Sequence, residues 1–140
     1  MKKLYRRLYS REEGFTLVEL MIVIIILAIL TAIAVPSYMV LRNRARIAAA
    51  QSEMKNIATA LEMYNADQDA YPTGDATAMI AALQGPSVGG GDPYMSPVPA
   101  NDPWGNPYVY TSNGTTYTLS CTSTTPNIVI IDGQLQVTTP

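Results

Sequence analysis

Hydrophobic and polar positions divide the chain into three textures. Residues 15–35, FTLVELMIVIIILAILTAIAV, are apolar almost without interruption. As a helix they extend about 31 Å at about 1.5 Å per residue, which predicts one crossing of a bilayer core. Over residues 36–66 the pattern becomes periodic, with Ile47, Ala50, Met54, Ile57, Leu61 and Tyr64 recurring at steps of 3, 4, 3, 4 and 3. That spacing draws one stripe along a helix and leaves Arg46, Glu53, Lys55 and Glu62 largely off it. A stripe of this kind needs a cover, and residues 67–140 must supply it.

The third texture is a series of short segments. DATAMIAALQGP predicts a short helix capped by Asp75 and stopped at Gly85 and Pro86. The following stretch through Pro107 holds six of the ten prolines, counting Pro86, and predicts a long loop without regular structure. Trp104, the only tryptophan, is expected to pin that loop against the sheet in a packing role. YVYTSNGTTYTLSCT and NIVIIDGQLQV are pairs of β-rich runs around Asn113-Gly114 and Asp132-Gly133, strong hairpin signals. The expected fold is α+β: a ladle whose long N-terminal helix, transmembrane in one half and amphipathic in the other, packs against an antiparallel sheet of three or four strands. Pro36 cannot donate to the carbonyl of Ala32, so it predicts either a kink over residues 32–36 or a helix boundary at the membrane exit.

Charge orients the chain. The formal net charge is -2, but Lys2, Lys3, Arg6, Arg7 and Arg11 against Glu12 and Glu13 give residues 1–14 +3, so the remainder carries -5. Basic residues on the N-terminal flank keep that flank in the cytoplasm and send everything after Pro36 across the membrane. The apolar run is longer than the core of a cleaved secretory signal, and Pro36 stands where such a signal would be cut. An acidic exported part does not suggest a nucleic-acid site. The absence of histidine and the single cysteine, Cys121, rule out an intrachain disulfide and leave catalysis little support. GGGDPY lacks the GK[ST] of a phosphate loop, Asp67 and Asp69 read as a solvated turn, and Cys121 reads as a small buried hydrophobe.

One residue resists this account. Glu19 lies within the apolar run, where an ionised carboxylate costs on the order of 2.5 to 3.5 kcal/mol near the centre and less near an interface. EGFTLVELMIVIIILAIL resembles the prepilin motif of type IV pilins and type II secretion pseudopilins. The resemblance implies removal of a leader, residues 1–14, by a prepilin peptidase that cuts between Gly14 and Phe15, followed by N-methylation of Phe15. Cleavage would create an α-amine at Phe15, a cation that Glu19 otherwise lacks, on the same chain or on a neighbouring subunit. Glu19 and Phe15 are then the expected assembly and register residues. In the same way YPT and DPWGNPYVY resemble the major pseudopilin of type II secretion. That family's calcium loop is acidic, whereas the tail from Thr111 onward holds one acid, Asp132; the expectation is therefore no cofactor, with calcium the alternative that the resemblance implies and the tail does not support.

The sequence reading is a structural filament subunit, not an enzyme. Residues 15–35 form the membrane and filament-core helix, residues 36–66 its amphipathic continuation, and residues 67–140 the head. Ile47, Met54, Ile57, Leu61 and Trp104 carry head packing. The implied partners are further copies of the chain, the peptidase and methyltransferase, and an inner-membrane assembly platform with a separate ATPase. The implied location is the inner membrane, followed by an extracellular or periplasm-spanning filament. A strand-rich tail favours a type IV pilus, which is the reading adopted; DPWGNPY favours the alternative, a secretion pseudopilin. A membrane-tethered binding module, its proline loop holding a ligand, is the third reading.

Overall fold

A computed structural model describes residues 14–124 and 127–138, and its longest element is helix α1, Leu17–Gln68. Apart from Gly14, the expected leader lies outside the described residues. The chain divides into two units, Met1–Leu41 and Arg42–Pro140. In the first, large apolar side chains from Phe15 to Leu41 are exposed by between 44% (Val35) and 75% (Phe15 and Leu17). Such a surface on all sides of a helix is suited to lipid or to other helices, not to water. Its best 18-residue window has a mean hydropathy of 3.0 and no buried share, so this is no core helix of a soluble domain. Thr31 and Ser37 donate their hydroxyls to the carbonyls of Leu27 and Ile33, which satisfies both within the helix itself.

A helix boundary at Pro36 is not formed: α1 runs through the proline. Proline removes one donated bond, and the strongly helical turns on either side hold the geometry across that gap.

In the second unit the predicted stripe is the core. Ala50, Met54, Ile57 and Leu61 are fully buried, with Ile47 and Tyr64 packed at its margin. Each of the three larger side chains contributes about 2 kcal/mol by leaving water. Strands β3 (Val109–Ser112), β4 (Tyr117–Cys121), β5 (Asn127–Ile131) and β6 (Gln134–Thr138) form one antiparallel sheet in sequential order. Alternation sends Tyr110, Tyr117, Leu119, Cys121, Ile128 and Ile130 into the core. Asp132 and Gly133 make the two-residue β5–β6 turn with φ of 46° and 77°, the left-handed pair that such a hairpin requires. In the β3–β4 turn, Asn113 Oδ1 accepts the N–H groups of Thr115 and Thr116.

Helix α2, Ala76–Gln84, has Asp75 as its N-cap, accepting from the N–H of Ala78, and Gly85 as its C-cap. The proline-rich stretch is less irregular than expected. Strands β1 (Pro86–Ser87) and β2 (Gly91–Pro93) pair as a small antiparallel ribbon. Both prolines stand in this two-stranded ribbon, where every strand is an edge and a missing N–H costs little.

Candidate functional site

Two groups of residues carry the chemistry, one at the start of α1 and one in the head. At the start, Gly14, Phe15 and Thr16 precede the helix in irregular backbone, and Phe15 is exposed. Thr16 is the N-cap. Its hydroxyl oxygen accepts the N–H of Glu19 at 3.2 Å, while Glu19 Oε2 accepts the N–H of Thr16 at 2.9 Å and its hydroxyl at 2.8 Å. This is a reciprocal capping box, T-x-x-E, which satisfies helix N–H groups and sets a negative charge at the positive end of the helix dipole. Glu19 therefore has a partner within its own turn. Thr16 was missed by the sequence reading, although its spacing to Glu19 carried the signal.

Among the described residues nothing requires glycine at position 14. A Cβ built there meets nothing within 4 Å, and its φ is not in the left-handed range.

In the head, Asp102 holds the proline-rich loop. It is 5% exposed. Oδ1 accepts the N–H groups of Trp104 (3.0 Å) and Asn106 (2.9 Å), and Oδ2 accepts the Cys121 thiol (3.3 Å) and the Ser123 hydroxyl. Burial pushes this carboxyl up, but the bonds from Ser123, Asn106, Cys121 and Trp104 outweigh it and hold the group below the usual aspartate range. Trp104 packs half-buried against the core, and the carboxylate of Asp102 beside it is the more deeply buried anchor of the same loop. Cys121 is buried as expected, and burial foremost pushes its thiol up, away from the reactive thiolate.

Carboxylates of α1 that lie off the stripe also hold the head. Tyr108 donates its hydroxyl to Glu53 at 2.6 Å, Tyr71 to Glu62 at 3.0 Å, and Tyr94 to Asp67 at 3.0 Å. Asp67 is thus more than a solvated turn residue. Burial, then the bond to Glu62, pushes Tyr71 up to about 12; burial first, then the bond to Glu53, also raises Tyr108 above the ordinary tyrosine value. A raised tyrosine contributes stability that is complete below its unfolded value of about 10 and is lost as pH rises through the folded one. Tyr108→Phe is expected to destabilise the head by about 1.5 kcal/mol, the worth of a hydrogen bond to a charged group, measured by urea unfolding of the detergent-solubilised chain.

The calcium implied by the resemblance does not fit these residues. Asp132 accepts the N–H of Tyr117 on strand β4 at 2.9 Å, and the four donors on Asp102 already fill its two oxygens. Among the described residues no group of three or more His, Cys, Asp and Glu is placed to hold a metal.

A family model described as type II secretion system (T2SS), protein G, matches residues 37–127, which span the amphipathic half of α1, the loop around Asp102 and the first two strands of the sheet. The chain belongs to that family. A prokaryotic N-terminal methylation motif matches residues 9–35. Among curated relatives, the type II secretion system core protein G of Pseudomonas aeruginosa is 40% identical over 110 residues, covering 75% of this chain and 77% of the relative. That of Aeromonas hydrophila is 37% identical over 111 residues, 74% of this chain and 76% of the relative. That of Vibrio cholerae is 35% identical over 111 residues, 74% of this chain and 73% of the relative. A pseudopilin of this family is a structural subunit, not an enzyme. The expectation of a pilus subunit is corrected in favour of the secretion alternative. It rested on the strand-rich tail, part of which lies beyond the match at residue 127.

Proposed function

We propose that this chain is the major pseudopilin of a type II secretion system, the repeating subunit of a short periplasmic filament that serves protein export. The observation that carries the reading is a head matched to the protein G family on a chain whose residues up to Leu41 present exposed apolar side chains. Such a helix is stable in a bilayer and again among copies of itself, and polymerisation moves it from the first setting to the second.

In this reading residues 1–14 are a cytoplasmic leader, removed by prepilin peptidase between Gly14 and Phe15, and Phe15 is N-methylated. Residues 15–35 are the membrane segment and later the filament core, residues 36–66 continue the helix, and residues 67–140 are the exported head. The precursor sits in the inner membrane and is extracted by an assembly platform whose ATPase is a separate protein. Glu19 leaves its bonds to Thr16 to meet the α-amine of Phe15 on a neighbouring copy. Glu19→Ala is expected to keep membrane insertion, read by fractionation, and to abolish filaments, read by electron microscopy.

Deletion of the gene tests the function. Loss of protein export with surface fibres unchanged is the expected result; loss of surface fibres with normal export would return the chain to the pili.

A further inference from the structure

Beyond the apolar segment, every basic residue of the chain falls among Arg42, Arg44, Arg46 and Lys55. Residues 56–140 contain no lysine or arginine, yet hold Glu62, Asp67, Asp69, Asp75, Asp92, Asp102 and Asp132. All of these acids except Asp102 are exposed, as are Arg42 and Arg44. Among the described residues the four bases form no ion pair.

Both poles of this distribution are unfavourable in an isolated chain. Three arginines directly past a membrane span, on its exported side, run against the preference for basic residues on the cytoplasmic side. At the other pole, α1 ends without a basic residue in its last turn. Its dipole places negative charge at that end, and Asp67 and Asp69 add to it, where a cation would be stabilising. Asp92 belongs to the same end. It lies two residues before Tyr94, whose ring sits 5.3 Å from that of Tyr64 and whose hydroxyl bonds Asp67. The hydroxyl is a neutral donor, so this bond supplies no cation to the rim.

One pairing removes both costs. We propose that the collar of Arg42, Arg44 and Arg46 on one copy docks on the rim of Asp67, Asp69 and Asp92 on a second copy. Copies inserted with one orientation run parallel, and the 23 residues of α1 from Arg44 to Asp67 then set an axial displacement of about 35 Å. A stagger of that size is what a helical polymer supplies between some of its neighbours. The inference rests on the filament reading above and adds the contact that sets subunit spacing. Lys55 is the one basic residue of the exported chain outside the collar, so only the collar offers the rim a cluster of cations, and lipid headgroups would leave the rim uncompensated.

The test uses the full-length chain in cells that carry its assembly machinery. R42E/R44E and D67K/D92K are each expected to lower filament yield about tenfold through like-charge contact, and the four-site combination to recover it to within about twofold. Added salt is expected to lower wild-type yield on purified subunits, since it screens exposed pairs. Leader removal, membrane fractionation and Trp104 fluorescence are read in parallel, so that a folding failure is distinguished from an assembly failure. Wild-type filament yield from R42E/R44E would overturn the inference and leave the filament reading standing. Failure of the combined variant to recover also overturns it. If wild-type yield then falls on depletion of phosphatidylglycerol while that of R42E/R44E does not change further, the collar serves lipid headgroups instead. A wild-type chain that never polymerises overturns the filament reading, and the inference with it.

Discussion

Gly14→Val is expected to leave the chain folded and inserted in the membrane while its leader stays attached. No contact among the described residues explains a glycine at this position: an added Cβ meets none of their atoms, and the backbone is not left-handed. A side chain there meets none of the described atoms, which agrees with the proposed recognition of this residue by the peptidase. Glycine lets a protease approach the backbone closely on the side where a branched side chain would stand. The flanking geometry agrees, because residues 14–16 are irregular and the helix starts only at Leu17. A bond inside a helix would have to be unwound before cleavage; this one is already accessible. Pulse-labelling followed by electrophoresis should show precursor in place of the shorter product, with processing slower by at least about tenfold, a barrier increase of about 1.4 kcal/mol. Gly14→Ala, which adds one methyl group, should fall between the two. Normal processing of the valine variant would remove the cleavage assignment. Filament assembly should fail along with processing, because the Phe15 amine is never released to meet Glu19.

The second large effect is expected at Asp102. Asp102→Ala removes both oxygens at once and leaves the N–H groups of Trp104 and Asn106 without their acceptor in a part-buried turn, together with the Cys121 thiol and the Ser123 hydroxyl. Unsatisfied buried donors cost about 1 to 3 kcal/mol each, and not all can relax to water, so a loss of about 3 kcal/mol is expected. That is a large share of the stability of a small domain. Asp102→Asn retains one oxygen for the two N–H groups and presents an amide to Ser123, which can accept in turn; about 1 kcal/mol is expected. The two variants also separate by pH. The folded carboxyl of Asp102 lies below its unfolded value of about 3.9. Its contribution is therefore complete above that value and lost as pH falls through the folded one, so wild-type stability drops at the acid end and the Asn variant loses that part of the drop. Trp104, the chain's single tryptophan, donates its backbone N–H to the hub, and its fluorescence reports the unfolding. Equal acid profiles for wild type and Asp102→Asn would show that the hub does not hold the loop.

These residues also mark how far the sequence could be read. The stripe from Ile47 to Tyr64, the capped helix after Asp75 and both hairpins follow from spacing and turn chemistry, and the structure places them as expected. Trp104 was chosen as the anchor because aromatic side chains dominate small cores, whereas the deeper anchor is the acid two positions before it. Asp-Pro followed by Gly signals a turn. It does not signal that the turn will be buried, since burial depends on where Cys121 and Ser123 arrive. Thr16 is the opposite case, since its role was written in the T-x-x-E spacing.

The sequence by itself determined the membrane helix, the buried face of its continuation, the strand pairs and the motif at Gly14 and Phe15. Each of these arises from residues within a turn or a hairpin of one another, where periodicity and local hydrogen bonding decide. Only the tertiary structure decided which polar groups lock the head. Cys121 and Asp102 are 19 positions apart, Ser123 and Asp102 21, and Tyr108 and Glu53 55. A carboxylate can be recognised in a sequence, but its partner is chosen by the folded path of the chain. Burial then makes that choice costly to undo, because a donor or acceptor inside the head has no water to replace the one it loses.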